Sequence, residues 1–201
     1  VSFNTTGSSG YALVDNGTTA LNVGASSVGG NLTLTSGHAS GITDSGTVTV
    51  GGNLVATTDA NSGVINLGTL AVDGTVALTT NGSGNATLVN DAGLNFAAST
   101  VGGALNATAT TGNMTDSGAL TIASTSSFTT SATDADIILN NANTFTGAVN
   151  FNTTGSTGHA KVVGTSGLNI SASTVGGNLS ATATTGNIED AGVLTIAGTS
   201  S

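Results

Sequence analysis

The sequence predicts an all-β fold, a parallel β-helix, and three observations support this prediction. Apolar and polar residues alternate in short segments, as in Leu32-Thr33-Leu34-Thr35, which is the pattern of a half-buried strand. Turn-forming Gly, Asn and Asp residues separate these segments. The segments also recur at regular intervals along all 201 residues, as expected when each coil of a solenoid stacks on the previous one.

A long repeat of 73–74 residues organises the chain. The segment STVGGALNATATTGNMTDSGALTIASTSS covers Ser99–Ser127, and STVGGNLSATATTGNIEDAGVLTIAGTSS covers Ser173–Ser201. We therefore expect one repeat array over residues 1–201, with long-repeat boundaries near 30/31, 103/104 and 177/178. Both ends fall inside a long repeat, which predicts that the array continues or that copies stack end to end.

A shorter unit lies within the long repeat. Its first strands begin at Val28, Val50, Val72, Val101, Ile122, Phe145 and Val175. The unit at Val50 reads as three strands, NLVATT, GVINL and TLAV, which turns separate. We therefore expect about eight coils of 22–30 residues, with three coils in each long repeat.

Aligning the units predicts which side chains face the interior, because successive residues of a strand point to opposite sides. One inward column is expected to contain Leu32, Leu54, Val76, Leu105, Phe128, Val149 and Leu179. The next contains Leu34, Ala56, Leu78, Ala107, Thr130, Phe151 and Ala181. The middle strands contribute Ile42, Ile65, Val89, Met114, Leu139, Val163 and Ile188. One outward column contains Thr35, Thr57, Thr79, Thr108, Ser131, Asn152 and Thr182.

Two alternative architectures fit less well. Disorder is disfavoured because 37% of the residues are hydrophobic and these residues alternate regularly. A string of β-sandwich domains of about 74 residues would not require the shorter internal repeat. A stacked solenoid also explains why one short unit is not stable alone. The cost of ordering its backbone exceeds the gain from its few buried side chains until neighbouring coils cover them.

Composition and charge exclude several classes of partner. Lys161 is the single basic residue against ten acidic ones, and the formal net charge is −9. Nucleic acids and anionic membranes are therefore unexpected partners, because both need many cationic side chains. Cysteine is absent, which rules out disulfides and thiolate metal sites. No apolar run is long enough to predict a membrane span.

The few candidate residues for chemistry do not form a recognisable site. His38 and His159 have no matching Ser/Asp pair or second His, so both are predicted to be solvated loop residues. Asp91 and Asp116 are expected in one turn column of successive coils, and Glu189 adjoins Asp190. We interpret these acids as turn residues rather than calcium ligands. Accordingly, no catalytic, cofactor-binding or metal-binding residue is predicted, and the chain is not expected to be an enzyme.

Two surface features leave other functions open. Glycosylation sequons begin at Asn4, Asn31, Asn85, Asn106, Asn152 and Asn178, among others. The outward threonine column suits ice binding, but its neighbouring column, Thr33, Val55, Ala77, Asn106, Thr129, Asn150 and Ser180, is not kept as threonine. Strand propensity and stacking alone would produce one threonine column.

Particular motifs resemble a known family. These are the strand VGGNLT at Val28, the turns GITDSG at Gly41, GNMTDSG at Gly112 and GNIEDAG at Gly186, and the LTI strands at Leu120–Ile122 and Leu194–Ile196. They are similar to the repeat region of filamentous-haemagglutinin-like bacterial exoproteins, β-strand-repeat adhesins often exported by two-partner secretion. The resemblance implies a right-handed parallel β-helix, an extracellular or cell-surface location, and a role in adhesion or biofilm.

The sequence thus predicts a structural function. We expect a shaft segment of a secreted bacterial fibre, an adhesin or matrix filament, that gives reach and rigidity. Its expected partners are like chains end to end or flanking repeats, and a host or neighbouring-cell surface. The alternative is that the repeat surface itself binds a glycan, like chains or ice.

Overall fold

All 24 strands of the chain belong to two sheets in which every pairing is parallel. The computed structural model describes the backbone of residues 1–201 and the side chains of residues 1–59 and 62–201. Sheet 1 contains β1 (Ala12–Asp15), β4 (Leu32–Ser36), β7 (Leu54–Asn61), β9 (Thr75–Asn81), β11 (Leu94–Phe96), β12 (Ser99–Val101), β14 (Met114–Asp116), β15 (Leu120–Ile122), β17 (Ile137–Phe145), β19 (Ala160–Gly164) and β22 (Leu179–Ala183). Sheet 2 contains β2 (Leu21–Val23), β3 (Ser26–Val28), β5 (Ile42–Asp44), β6 (Val48–Val50), β8 (Ile65–Val72), β10 (Ala86–Asn90), β13 (Leu105–Ala109), β16 (Ser126–Thr133), β18 (Val149–Thr154), β20 (Leu168–Ile170), β21 (Ser173–Val175), β23 (Ile188–Asp190) and β24 (Leu194–Ile196).

The chain visits each sheet once per turn of a β-solenoid. Leu32 pairs with Leu54 in the next turn, and Leu54 pairs with Val76 in the turn after that. The solenoid has about nine turns of about 21 residues. The predicted parallel β-solenoid is therefore confirmed, while its turns are shorter and slightly more numerous than expected.

A continuous apolar core lies between the two sheets. Leu32, Leu54, Val76 and the other inward side chains of both sheets are buried in one cluster. Four phenylalanines join the sheets near the middle of the molecule. The ring centroid of Phe128 on sheet 2 lies 6.3 Å from that of Phe96 and 5.9 Å from that of Phe145, both on sheet 1. Edge-on aromatic contacts of this kind add to the hydrophobic stabilisation of the core.

The long repeat spans three and a half turns rather than the expected three. Three equivalent segments begin at Ser26, Ser99 and Ser173, which are 73 and 74 residues apart. They form β3 on sheet 2, β12 on sheet 1 and β21 on sheet 2. Because a turn takes about 21 residues, one long repeat ends half a turn out of phase with its start. Each successive copy of the repeat therefore presents its residues on the opposite face.

This half-turn changes the predicted inward columns. Leu105 is buried as expected, but it pairs with Ala86 and Ser126 on sheet 2 instead of joining Leu32 on sheet 1. Phe128 belongs to the neighbouring column, where it pairs with Phe151. Sequence similarity aligned these residues correctly within the long repeat. Which residues become neighbours in adjacent turns depends instead on the number of residues in one turn.

Two residues of the predicted middle column face the other way. Val89 and Val163 lie on the outer face and are only half-buried. Their neighbours Leu88 and Val162 point into the core. In β10 the buried residues are Ala86, Leu88 and Asn90, and in β19 they are Ala160, Val162 and Gly164. Strict alternation along each strand therefore places Val89 and Val163 outward, one residue out of phase with the alignment.

Tight corners connect the sheets and require particular residues. Gly41 has a positive φ of 63°, and a Cβ atom there would collide with the carbonyl oxygen of Val64 in the next turn. Buried Asn90 closes another corner, because its side chain accepts from the backbone nitrogen of Val72 and donates to the carbonyl oxygens of Val72 and Gly93. These corners keep adjacent turns in register, which fixes the outward surface described below.

Candidate functional site

The outer face of sheet 1 carries a continuous row of threonines, which we call the threonine ladder. Register pairs connect its members Thr35, Thr57, Thr79, Thr100, Thr121 and Thr144 from one turn to the next. The hydroxyls of Thr144 and Thr165 lie 2.7 Å apart and extend the row by one turn. Since parallel strands are about 4.8 Å apart, the row is about 30 Å long.

Sheet 2 carries a matching row because of the half-turn in the repeat. This second threonine ladder consists of Thr108, Thr129, Asn152, Thr174 and Thr195, again paired turn by turn. The prediction that the outward column forms a single row was therefore wrong, because its members lie on two sheets. Thr35, Thr57 and Thr79 lie on sheet 1, whereas Thr108 and Asn152 lie on sheet 2.

The column beside the ladder of sheet 1 contains other residue types besides threonine. Thr33 pairs with Val55, and Val55 pairs with Ala77. The row also contains no charged residue from Thr35 to Thr165, although Asp15 pairs with Thr35 at its beginning. The outer face thus offers one uncharged row of hydroxyl groups, which suits neutral, hydrogen-bonding partners better than ionic ones.

Side-chain acceptors tie the corners of successive turns together. The Asn31 Oδ1 atom accepts from the backbone nitrogen of Asn53 at 2.9 Å, and Asn53 Oδ1 accepts from Thr75 at the same distance. The same bond recurs further along the chain, where Asn113 accepts from Asp136. These corner acceptors hold backbone groups that would otherwise remain unpaired between turns.

His159 is one of these corner acceptors. Its Nδ1 atom accepts from the backbone nitrogen of Asn178 at 2.8 Å, and its own backbone nitrogen donates to Asp136 Oδ1. His38 is exposed, and its Nδ1 atom accepts from the backbone nitrogen of Ser40 within the same loop. His38 matches the predicted solvated loop residue, whereas half-buried His159 is engaged between turns.

Several acidic residues hold adjacent turns together at the corners. Asp44 accepts from the backbone nitrogens of Gly68 and Thr69 at 3.0 and 2.7 Å. Its repeat equivalent Asp116 is buried and accepts from the backbone nitrogens of Asn140 and Asn141 at 2.9 and 3.1 Å. Each carboxylate thereby satisfies donors of the following turn.

The predicted shared column of Asp91 and Asp116 does not exist. Asp91 follows β10 of sheet 2, whereas Asp116 ends β14 of sheet 1, because one and a half turns separate them. Glu189 and Asp190 lie exposed on β23. Among the residues that the structure describes, no three His, Asp or Glu side chains converge on a common point where a metal could bind.

The exposed carboxylate of Asp134 binds the following turn. Its carboxylate accepts from the backbone nitrogens of Thr157 and Ser156 at 2.9 and 2.8 Å. Hydrogen bonds from the Thr157 backbone and hydroxyl, and then from Ser156, lower the pKa of this exposed carboxyl. The carboxylate form of Asp134 therefore contributes to holding two turns together.

The surface grooves hold few titratable groups. The groove of about 610 Å³ beside β23 is lined by Glu189 and Asp190, with no basic residue among its lining residues. One groove of about 260 Å³ lies on sheet 2 and is lined by Thr47, Thr69, Val89, Asp91 and neighbouring residues. Asp91 stands there without a base or a second acid among the lining residues. Over the described part of the chain, no helix is long and apolar enough to cross a membrane.

Comparison with known proteins identifies a repeat family. The family described as repeats of unknown function, DUF5649, matches residues 10–64, 83–152 and 157–201. The chain belongs to DUF5649. The three DUF5649 matches begin 73 and 74 residues apart, which is the long-repeat period found in the sequence.

No curated protein and no solved structure matches the chain. The DUF5649 description gives no activity. The resemblance to filamentous-haemagglutinin-like exoproteins therefore stays a prediction.

Sequence reasoning missed the corner acceptors and found the ladder only in part. The Asn of the GGN motif at Asn31 and Asn53 was a usable signal, because it recurs just before an inward leucine. The sequence around Asp134 and His159 gave no such signal, because the donors that bind these side chains come from the following turn.

Proposed function

We propose that the chain is a shaft segment of an extracellular or cell-surface bacterial fibre, which gives reach and rigidity without catalysis. The observation that carries this proposal is the uninterrupted stack. Parallel pairing continues from β1 to β24, and the buried core runs from Leu21 to Leu179 through all three DUF5649 matches. A structure in which each turn contacts mainly its neighbours lengthens by adding repeats and needs no new fold.

The dimensions and the surface support a spacer. One long repeat of three and a half turns adds about 17 Å to the axis. Most of the backbone hydrogen bonds connect successive turns, so local opening requires several of them to break together. Lys161 is the one site for a protease that cleaves after basic residues. Such an object is durable outside the cell.

The proposal is tested by inserting copies of residues 104–177, one long repeat, at the 177/178 boundary. Chains with one and two added copies should be about 17 and 34 Å longer by small-angle X-ray scattering. On a cell surface, each added copy should increase reach while attachment per molecule stays constant. One copy turns the downstream faces by half a turn and two copies restore them, which gives a matched control for orientation.

A second candidate function is binding by the repeat surface itself, to a glycan, to like chains or to ice. The two threonine ladders favour it, because they present uncharged rows on both faces, made of hydroxyl groups and the amide of Asn152. Attachment that rises in proportion to the number of inserted copies would support this candidate and contradict a passive shaft. Replacing Thr79, Thr100 and Thr121 by Val would then abolish binding through sheet 1 without disturbing the core.

A further inference from the structure

The chain contains two Asn-Gly pairs, and the structure holds them differently. They are Asn16-Gly17 and Asn81-Gly82. In any Asn-Gly pair the glycine nitrogen can approach the side-chain amide carbon of Asn, because glycine has no Cβ to obstruct the approach. In a folded protein, this approach depends on the positions in which the structure holds the glycine nitrogen and the Asn side-chain amide.

Asn81 has the reactive arrangement. Asn81 and Gly82 are both exposed at the corner after β9. The Gly82 nitrogen lies 2.8 Å from Asn81 Oδ1, which places it beside the carbon that carries this oxygen. The side-chain nitrogen of Asn81 has a long contact of 3.5 Å to the carbonyl oxygen of Asp59, too long to restrain it strongly.

Asn16 is restrained at both reacting groups. The Gly17 nitrogen donates to Asp15 Oδ1 at 2.9 Å, so the side chain of Asp15 holds this nitrogen. The Asn16 side-chain nitrogen donates to the carbonyl oxygens of Ala20 at 2.9 Å and Thr19 at 3.3 Å. Reaction at this pair would require these hydrogen bonds to break first.

We propose that Asn81 is a site of non-enzymatic deamidation and isoaspartate formation, and that Asn16 is protected. The Gly82 nitrogen loses its proton to solvent and bonds to Asn81 Cγ, while the Cγ–Nδ2 bond breaks and the leaving nitrogen takes a proton from solvent and departs as ammonia. Water then opens the resulting succinimide. Attack at the side-chain carbonyl gives Asp, and attack at the backbone carbonyl gives isoaspartate, in which the chain continues through Cγ.

The modification changes contacts between turns. The Asn81 carbonyl oxygen accepts from the backbone nitrogens of Ser62 and Gly84 at 3.0 and 3.1 Å. The Gly82 carbonyl packs directly against Gly102 in the following turn. Isoaspartate lengthens the backbone by one methylene at this point, and either product adds a carboxylate near Asp59. The corner between these turns should therefore loosen as the protein ages.

The experiment follows both sites in the intact chain during incubation at neutral pH over several weeks. Peptide mapping by mass spectrometry measures deamidation, and enzymatic isoaspartate methylation measures the isomer. In the folded chain Asn81 should react about tenfold faster than Asn16, the effect of losing one or two ordinary hydrogen bonds. In urea-unfolded chain the two pairs should react at similar rates. Equal rates in the folded chain, or faster reaction at Asn16, would overturn the proposal.

A matched variant tests the cause of protection. Asp15→Ala removes the acceptor for the Gly17 nitrogen on an exposed side chain. It should raise the rate at Asn16 severalfold and leave Asn81 unchanged, with an unaltered circular dichroism spectrum. An unchanged rate at Asn16 in this folded variant would show that the structure does not control the two sites as proposed.

Discussion

Val101 and Val175 occupy the same position in the long repeat, yet they lie on opposite sheets. Val101 pairs with Ile122 on sheet 1, and Val175 pairs with Ile196 on sheet 2. Both are buried, so the same motif serves either wall of the solenoid. A motif can do this because each wall offers the same pattern of inward apolar and outward polar positions.

Disulfide crosslinking tests this half-turn directly, because the native chain has no cysteine. Thr121 and Thr144 are register partners in adjacent turns of sheet 1. Cysteines at these two positions should be close enough to crosslink on oxidation, since parallel neighbours are about 4.8 Å apart. Thr121 and Thr195 are equivalent in the repeat but lie on opposite sheets, so cysteines there should remain reduced. Mass spectrometry distinguishes the outcomes, and crosslinking of the second pair alone would contradict the fold.

The alternation in the sequence was sufficient to orient most side chains. Period-two patterning is a property of any strand, so Leu105 could be placed inside and Thr108 outside without knowing their neighbours. Their stacking partners could not be predicted in this way. The stacking partners depend on the number of residues in one turn. Because the long repeat contains three and a half turns, equivalent residues of successive repeats lie on opposite sheets and do not stack.

The corner contacts were harder to predict than the strands. Asp116 looked like an ordinary turn residue, and its sequence neighbours gave no reason for its burial. Its donors, Asn140 and Asn141, are 24 and 25 residues further along the chain. Such contacts become apparent only when the turn length is known.

Substitutions at Leu105 and Thr108 should separate the inner and outer faces. Leu105 is 1% exposed, so Leu105→Asp would bury an unpaired charge and should cost more than about 4 kcal/mol of stability. Thr108 lies on the threonine ladder of sheet 2, so Thr108→Asp should lower the stability by about 1 kcal/mol, because Asp has a lower strand propensity. Urea denaturation monitored by circular dichroism measures both. Similar losses would mean that the assignment of faces is incorrect.

The carboxylate of Asp116 should be far more important for stability than that of Asp190, its repeat equivalent. Asp116→Ala leaves the part-buried backbone nitrogens of Asn140 and Asn141 without their acceptor, which should cost about 2–4 kcal/mol. Asp190→Ala removes an exposed side chain and should change stability by less than about 0.5 kcal/mol. Thermal denaturation of the two variants beside the native chain provides the comparison. A large loss from Asp190→Ala would indicate that the acid acts through net charge rather than through its corner contacts.

Acid should weaken the corner held by Asp134. Hydrogen bonds from Thr157 and Ser156 lower the pKa of this carboxyl below its ordinary value of 3.8. A lowered folded-state pKa means that the contribution to stability is present above the unfolded-state value and is lost as the pH falls through the folded-state value. Hydrogen exchange at the Ser156 and Thr157 amides should therefore show less protection, relative to distant amides, as the pH is lowered below about 4. Asp134→Asn keeps the shape but removes the titrating group, so in this variant the relative protection should not depend on pH in this range. The same acid-induced loss in native and variant chains would assign the effect to other carboxylates.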